Sequence, residues 1–276
     1  MGIRFPGFVP HTLPGKACNP IIAYLSTMHP LPHFPVILAG LAALLAGPVP
    51  GFAQPPKSGW LSALRDTTQR LESHYTANAV RVFNNGTTAE GPEAIALWWR
   101  EQRPNVDSIV VYTHIEPRNP AYVYEISALF LSEGRVWKQL VIWNLDGPQP
   151  KRELEFVASA FPLQQYRADL HRRREAWMHY CNSHQVDDLV EELYVADALY
   201  YNHRPMIRGR KALEDTYRYM RNPAYRLELK PEWLEPVNEL LAFEIGQCEG
   251  SYGGKYILIW QKDTDGKWRI LLDSNI

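Results

Sequence analysis

Cysteine is scarce in this chain, and neither sign of charge dominates. The 276 residues include three cysteines, with no Cys-x-x-Cys pair and no cluster of cysteine and histidine at metal-ligand spacing. Lysine and arginine together number 29, aspartate and glutamate 30, and the net charge is −1. Because proteins that bind nucleic acid usually present a broad positive surface, we expect no nucleic-acid partner.

Motifs of common cofactors and hydrolases are missing as well. The sequence has no glycine-rich nucleotide loop, no nucleophile-elbow serine and no His-Glu-x-x-His pattern, so it predicts no cofactor and no zinc or serine hydrolysis. Aromatic residues, by contrast, make up 12% of the chain and include 9 Trp and 15 Tyr. Large flat side chains in this number suit hydrophobic cores, pockets and interfaces.

The first 53 residues contain no aspartate or glutamate. Their apolar run from Val36 to Gly47 is too short to span a bilayer, but it has the length of the apolar core of a secretory signal. Gly51 and Ala53 are small residues of the kind that a signal peptidase site requires. We therefore predict a signal peptide over 1–53, cleavage before Gln54, and a periplasmic or secreted mature protein without a membrane span.

The leader has one irregular feature, since Met28 to Pro35 contains histidines but no lysine or arginine, whereas such leaders usually begin basic. We interpret Met28 as the true start of translation. A cytosolic protein with an exposed apolar tail is the alternative, and it would carry an uncovered hydrophobic patch. Outside the leader, Cys181 and Cys248 can form a disulfide in an oxidising compartment or remain as buried thiols, and their spacing does not decide between the two.

The rest of the chain repeats one unit. HYTANAVRVFNNGTTAEGPEAIALWW, over 74–99, matches LYVADALYYNHRPMIRGRKALEDTY, over 193–217, in spacing and residue type. Each stretch contains Gly-x-x-Ala-aliphatic, over 91–95 and 209–213, in which Gly91 or Gly209 can form a turn before a new helix begins.

Three strands are predicted after this helix in each copy. YVYEISALFL and LAFEIGQCEG alternate in period two, and Glu125 and Glu244 stand at the same place in them. VWKQLVIWN and GKYILIWQK follow, and KRELEFVAS and KWRILLDSN come last, the latter after a hairpin turn at Gly266. Each copy thus runs helix, short strand, helix and three-stranded meander, which is an α+β order.

The second copy, above all its ending GSYGGKYILIWQKDTDGKWRILLDSNI, resembles the nuclear transport factor two-like superfamily in its SnoaL-like and ketosteroid-isomerase-like branch. The resemblance implies two tandem cone-shaped domains, each a curved antiparallel sheet wrapped on helices with a pocket at the wide end. We predict a degenerate first domain over 58–160, a linker helix over 161–176 and a second domain over 177–276. Because such sheets commonly pair back to back, we expect the domains to pair within the chain, and a homodimer is a further expectation.

The resemblance also allows one mechanism to be checked residue by residue. A ketosteroid isomerase requires a carboxylate base near the short strand and a donor acid on a later strand. The base position falls at Asn202 in the second copy and near Phe83 in the first, and the donor position falls near Leu258. None of these residues is an acid, so we do not predict steroid isomerisation.

Polar residues among the aromatic ones of the second copy form the candidate site. His203 can act as a general base near neutral pH, with Tyr200 as acid or donor and with Glu244 or Asp273 to orient the histidine. A histidine exposed in a turn is the ordinary alternative. The ligand-binding candidates are Asn202, Trp177, Tyr217, Trp233, Gln247, Trp260, Asp273 and Asn275.

Glu244 has a second interpretation, because Glu125 repeats it in the first copy. A carboxylate present in both copies favours a structural role, paired with Arg208 or Arg269, since burial without a partner is costly. The first copy has Asn84 in place of the candidate histidine, and we expect it to serve packing.

Two functions therefore stay open. The first is a small-molecule pocket for an apolar or aromatic ligand, with no assigned reaction. The second is a non-catalytic binding or assembly module. An enzyme needs a titratable group within a closed cavity, a binder needs apolar walls with a few polar anchors, and an assembly module has cavities filled by its own side chains.

Overall fold

The computed structural model describes residues 57–161, 166–202 and 205–276. The predicted leader, its cleavage site before Gln54 and the candidate base His203 lie outside these ranges. Within the described ranges, no helix is both long enough and apolar enough to cross a membrane.

The first domain is a six-stranded mixed sheet with helices. Its strands lie in the order β2-β1-β6-β5-β4-β3; β1 and β6 are parallel and all other neighbours are antiparallel. The elements are α1 (Lys57–Arg65), a 3₁₀ helix (Leu71–His74), β1 (Tyr75–Val82), β2 (Thr88–Glu90), α2 (Pro92–Gln102), β3 (Val106–Ile115), β4 (Tyr122–Leu131), β5 (Val136–Asn144) and β6 (Lys151–Ala160).

The second domain repeats this arrangement, in the order β8-β7-β12-β11-β10-β9 with the same parallel pair, β7 and β12. The predicted α+β architecture of two tandem domains is confirmed. The elements are α3 (Arg167–Asn182), α4 (Val186–Leu193), β7 (Tyr194–Tyr201), β8 (Ile207–Arg208), α5 (Arg210–Thr216), a 3₁₀ helix (Tyr217–Arg221), β9 (Leu227–Asn238), β10 (Leu241–Gly250), β11 (Gly254–Lys262) and β12 (Trp268–Ser274).

Each meander has four strands rather than the three predicted, because β3 and β9 were missed. Both are edge strands, which are partly exposed and so lack a clear alternation of apolar and polar residues. In β9, Pro231 and Pro236 also interrupt the strand pattern. Proline is tolerated there because an edge strand leaves one row of N–H positions without a ladder partner.

The predicted turn glycines have the backbone that the turns require. Gly91 and Gly209 precede α2 and α5 with φ of 85° and 84°, and Gly266 has φ of 80° in the hairpin between β11 and β12. Positive φ is unfavourable for residues with a Cβ. These glycines therefore determine where α2, α5 and β12 begin.

Helix α3 runs without interruption through residue 176 to Asn182, so the predicted boundary between linker and second domain falls within one helix. Trp177, on its buried side, belongs to the core that covers the second sheet. The helix thus packs as an element of the second domain.

The two sheets pack against each other through one face of each. The rings of Phe156 and Phe243 meet edge to face at 5.7 Å, and the Tyr124 hydroxyl accepts the Ile276 backbone N–H at 2.9 Å. The other face of each sheet lies against the helices of its own domain, and the candidate site is on that inner face.

Candidate functional site

A narrow cavity lies on the inner face of the second sheet. Its volume is about 30 Å³, which is enough for one or two water molecules. Aromatic and apolar side chains form most of the wall. The lining residues are Trp177, Tyr217, Tyr219, Met220, Tyr225, Leu227, Leu229, Cys248, Tyr252, Tyr256, Leu258, Asp273 and Asn275.

Asp273, near the end of β12, is the acid of this cavity. Its side chain is buried, and its Oδ2 accepts the hydroxyls of Tyr194 at 2.8 Å and Tyr217 at 2.6 Å. Trp177 donates its indole N–H to the Tyr194 hydroxyl at 3.0 Å and so orients that ring. The carboxyl is therefore held by two donors that carry no charge.

Burial raises the pKa of Asp273 to about 6, although the hydrogen bonds from both tyrosines lower it. Within residues 57–161, 166–202 and 205–276, no lysine, arginine or histidine forms an ion pair with it. A carboxyl with such a pKa can take up and release a proton near neutral pH. Asp273 is thus the described group of this cavity that is best suited to proton transfer or to pairing with a cation.

Tyr200 lies beside this acid on the neighbouring strand. Its hydroxyl donates to Asn275 Oδ1 at 2.6 Å and accepts Asn202 Nδ2 at 3.3 Å, and its ring meets Tyr217 edge to face at 5.6 Å. Burial raises the pKa of Tyr200 to about 12, so the hydroxyl stays protonated and can act as a donor. Asn202 itself is exposed.

Three tyrosines that the sequence analysis did not single out line the cavity near the protein surface. Tyr219 is 49% exposed, and Tyr225 and Tyr252 are half-buried. The rings of Tyr219 and Tyr225 meet edge to face at 5.2 Å. These three rings add aromatic faces and hydroxyls to the cavity wall that Asp273 shares.

Glu244 is buried and already has four donors. Arg174 binds it through two nitrogens at 2.6 and 2.7 Å, the Tyr256 hydroxyl donates at 2.7 Å and the Trp260 indole at 3.0 Å. The arrangement ties α3 to the second sheet. With both oxygens engaged, Glu244 is placed to hold the fold together rather than to face the cavity.

The arginines suggested by the sequence as partners of this glutamate lie elsewhere. Arg208 donates to the Gly86 carbonyl at 2.5 Å, and Arg269 binds Asp263 and Asp265. The true partner lies on α3, about 70 residues away along the chain, and no local pattern in the sequence marks it.

Three ligand-binding candidates lie apart from the cavity. Trp233 donates to Glu235 on the edge strand β9 at 3.2 Å, and Gln247 donates to the neighbouring Cys248 carbonyl at 2.7 Å. Trp260 is bound to Glu244. The candidates that the structure brings together are Trp177, Tyr200, Asn202, Tyr217, Asp273 and Asn275.

Cys181 and Cys248 are both free and buried. Cys248 lines the cavity, whereas the Cys181 sulfur lies 3.8 Å from that of Met220. Burial raises the pKa of each thiol to about 12, so neither is a thiolate at neutral pH.

The first domain contains the counterpart of this site. Glu155 pairs in register with Arg81 exactly as Asp273 pairs with Tyr200, so the two acids occupy the same strand position. Glu155 accepts the Tyr75 hydroxyl at 3.0 Å, and Trp60 donates to that hydroxyl at 3.0 Å, as Trp177 does to Tyr194.

The first domain differs from the second in charge. Arg81 and Arg152 lie 2.5 and 2.8 Å from Glu155, and the Arg81 guanidinium lies 3.3 Å from the centre of the Trp98 ring. Burial alone would raise the pKa of Glu155, but the two guanidinium groups hold it below its ordinary value. In the second domain the corresponding positions are Tyr200 and Ile270.

The sequence signal for this equivalence was present but misaligned. Matching the last strands at Lys151 and Lys267 sets Glu155 opposite Leu271, whereas strand pairing sets it opposite Asp273. By strand pairing, Arg152 is equivalent to Ile270, so Lys151 corresponds to Arg269 and not to Lys267.

No protein-family model matches the chain, and no curated protein does. Solved structures match it over about one domain. An NTF-2-like protein of unknown function from Shewanella oneidensis is 14% identical, covering 39% of this chain and 95% of its own, with a TM-score of 0.35. A ketosteroid isomerase-like protein from Erwinia carotovora is 13% identical, with 41% and 95% covered and a TM-score of 0.35. A DUF4783 family protein from Bacteroides ovatus is 14% identical, with 40% and 100% covered and a TM-score of 0.33.

These likenesses concern the fold and assign neither ligand nor reaction. The fold itself is evident within the chain, where one order of six strands and the same helices occur twice. The chain is thus a tandem pair of α+β domains of one topology, and each domain is similar in extent to the single-domain NTF-2-like and ketosteroid isomerase-like structures.

Proposed function

We propose that the second domain binds a small organic molecule in its aromatic-walled cavity. The observation that carries the proposal is Asp273, a buried carboxyl without an ionic partner in the described part of the chain. Burying an acid in this way costs stability, and such costs are concentrated at functional sites. The first domain supports the proposal by contrast, because its equivalent acid is neutralised.

The residues around the acid have separate proposed roles. Asp273 anchors the ligand and can exchange a proton with it, Tyr200 and Asn275 supply further polar contacts, and Trp177 and Tyr217 form walls. His203 remains a proposed general base, because it directly follows Asn202 and histidine titrates near neutral pH. No reaction is assigned to these groups.

A non-catalytic assembly module is the second candidate. The small volume of the cavity, about 30 Å³, favours it, because this space leaves room for little more than one or two water molecules. Under this alternative the two sheets serve to build a rigid internal pair.

Native mass spectrometry of the full chain purified from its source separates the two candidates. A binding protein is expected to retain a small molecule, and the Asp273→Asn variant is expected to lose it. If the wild-type protein carries no molecule, and a fragment collection raises its melting temperature no more than that of the variant, the assembly module is favoured.

We also propose that the protein is exported. The acid-free leader, its apolar run and the small residues Gly51 and Ala53 support this proposal. A site that captures small molecules outside the cytoplasm would be consistent with export.

A further inference from the structure

In the first domain, a cation lies beside Glu155, the acid that is equivalent to Asp273. The Arg81 guanidinium lies between the carboxylate of Glu155, at 2.5 Å, and the ring of Trp98, at 3.3 Å from its centre. A planar cation over an aromatic face and beside a carboxylate is a favourable arrangement.

The second domain has most of this arrangement, but no described residue supplies a cation there. The carboxyl, the Trp–Tyr pair that orients it and an aromatic donor are all present, since Tyr217 binds Asp273 as Trp99 binds Glu155. At the strand position of Arg81 stands Tyr200, whose side chain carries no charge. Among the described residues, the second site therefore has neither of the two guanidinium groups that neutralise Glu155, since Tyr200 and Ile270 stand in place of Arg81 and Arg152.

We propose that the ligand of the second domain is a small organic cation whose ammonium or guanidinium group binds beside Asp273, as Arg81 does beside Glu155. The inference rests on the proposed function and names the class of molecule that the cavity takes. The rest of the ligand can be apolar, since it would extend between the tyrosines near the surface.

The size and lining of the cavity fit such a head group. A volume of about 30 Å³ admits one or two water molecules, and an ammonium group is of similar size. Tyr217, Tyr219, Tyr225 and Tyr252 offer ring faces or edges around it. Several tyrosines around one carboxylate suit an organic cation, because ring faces attract positive charge and the carboxylate neutralises it.

The groups that face Asp273 would not compete for its charge. In the described part of the chain they are the hydroxyls of Tyr194 and Tyr200 on β7, of Tyr217 and Tyr219 on the 3₁₀ helix and of Tyr256 on β11, together with the thiol of Cys248 on β10. None of them is positively charged. A bound cation would thus pair with the ionised form of Asp273, and protonation of this carboxyl would weaken binding.

Calorimetric titration of the full chain with benzylammonium, benzyl alcohol and benzoate tests the inference, because these probes share a ring and differ in charge. At pH 7.5 benzylammonium is expected to bind at least tenfold more tightly than the alcohol, and benzoate more weakly than either. Between pH 7.5 and pH 5 the affinity for benzylammonium should fall about tenfold, as the ionised fraction of Asp273 falls.

Two variants separate binding from folding. Asp273→Asn should lose the preference for benzylammonium over the alcohol. Tyr200→Arg should place a guanidinium beside Asp273, as in the first domain, and so block benzylammonium while the circular dichroism spectrum stays that of a folded protein. The exposed Asp215, on α5, provides the matched control, and Asp215→Asn should bind as the wild type does.

Failure of the cationic-ligand proposal can be distinguished from failure of the proposed small-molecule binding. Equal affinity for benzylammonium and benzyl alcohol, with no effect of Asp273→Asn, would overturn the cationic ligand while leaving a neutral small-molecule pocket standing. Binding of neither probe overturns the cationic ligand too, and retention of a natural molecule in native mass spectrometry then decides the proposed function separately. If Tyr200→Arg does not fold, the pH dependence and the Asp273→Asn titration still decide the matter.

Discussion

Glu155 and Asp273 occupy the same position in two copies of one sheet, yet among the described residues arginines pair with Glu155 and none pairs with Asp273. Both acids accept a tyrosine hydroxyl that is itself bound by a tryptophan indole. The two domains can therefore be compared directly. The same arrangement of strands holds an acid paired with two arginines in the first domain and an acid with no ionic partner among the described residues in the second.

The first prediction concerns stability and pH at Asp273. Burial raises its pKa from its ordinary value to about 6, so the folded chain binds this proton more tightly than the unfolded chain does. The contribution of Asp273 to stability is therefore greatest below about pH 4 and is lost as the pH rises towards 6. Asp273→Asn should be more stable than wild type at pH 7.5 by up to about 3 kcal/mol, and equally stable at pH 3.5.

Urea unfolding of both proteins across pH 3.5 to 8 measures this difference. The amide oxygen of asparagine can still accept both tyrosine hydroxyls, so the pH-dependent part of the difference reports the charge. Asp215→Asn, an exposed change in the same domain, should show no such pH-dependent gain. A variant less stable than wild type at every pH would contradict the prediction.

The second prediction concerns Glu244, which holds Arg174 by two hydrogen bonds. Glu244→Gln leaves the guanidinium buried without its counter-charge, and the free energy of unfolding should fall by about 3 kcal/mol. Ligand binding should change little in the variant that remains folded, since this side chain is saturated by donors.

Chemical denaturation at pH 7.5 measures the fall in the free energy of unfolding of Glu244→Gln. Glu249, on the same strand, pairs with Lys230 at the surface and is 49% exposed. Glu249→Gln should therefore leave the midpoint nearly unchanged. Equal midpoints for Glu244→Gln and Glu249→Gln would show that the buried pair has no structural role.

The third prediction concerns Gly246. The Tyr256 ring lies directly over this glycine, and its hydroxyl donates to Glu244. A Cβ at this position would collide with the end of the tyrosine ring and with the Lys230 carbonyl. Gly246→Ala should destabilise the fold by about 1–3 kcal/mol, because the ring or the edge strand must move.

Thermal denaturation of Gly246→Ala beside Gly253→Ala tests the collision. A Cβ at Gly253 would meet no atom within 4 Å, so that variant should melt close to wild type. Should both variants melt alike, the close approach of Tyr256 would not be a constraint on this strand.

The fourth prediction concerns export. Amino-terminal sequencing of the protein from its source should begin at Gln54, because Gly51 and Ala53 suit a signal peptidase. Replacing Ala53 by a bulky residue such as Phe should block processing, whereas Gln54→Asn should be processed normally. A mature chain that keeps the apolar run of 36–47 would contradict the proposal.

Much of the fold was predictable from local patterns. Alternating strands, the turn glycines Gly91, Gly209 and Gly266, and the repeated Glu125 and Glu244 identified two copies of one α+β unit. The edge strands β3 and β9 were not predicted, because partial exposure and, in β9, prolines weaken the alternation of apolar and polar residues that marks a strand.

The candidate site was only partly predictable. Its aromatic walls were foreseen in Trp177 and Tyr217, and Asp273 was named, though as a residue that orients a histidine. Its pairing with Tyr194 joins groups about 80 residues apart, and such contacts leave no short-range pattern in the sequence.

The residue order alone established two α+β repeats, because helix and strand periodicity and the backbone freedom of glycine act over a few neighbouring residues. Tertiary structure decided that the pKa of Asp273 is raised and that of Glu155 is lowered. That outcome depends on whether arginines from separate strands converge on a buried carboxyl, as Arg81 and Arg152 do on Glu155 and as no described residue does on Asp273.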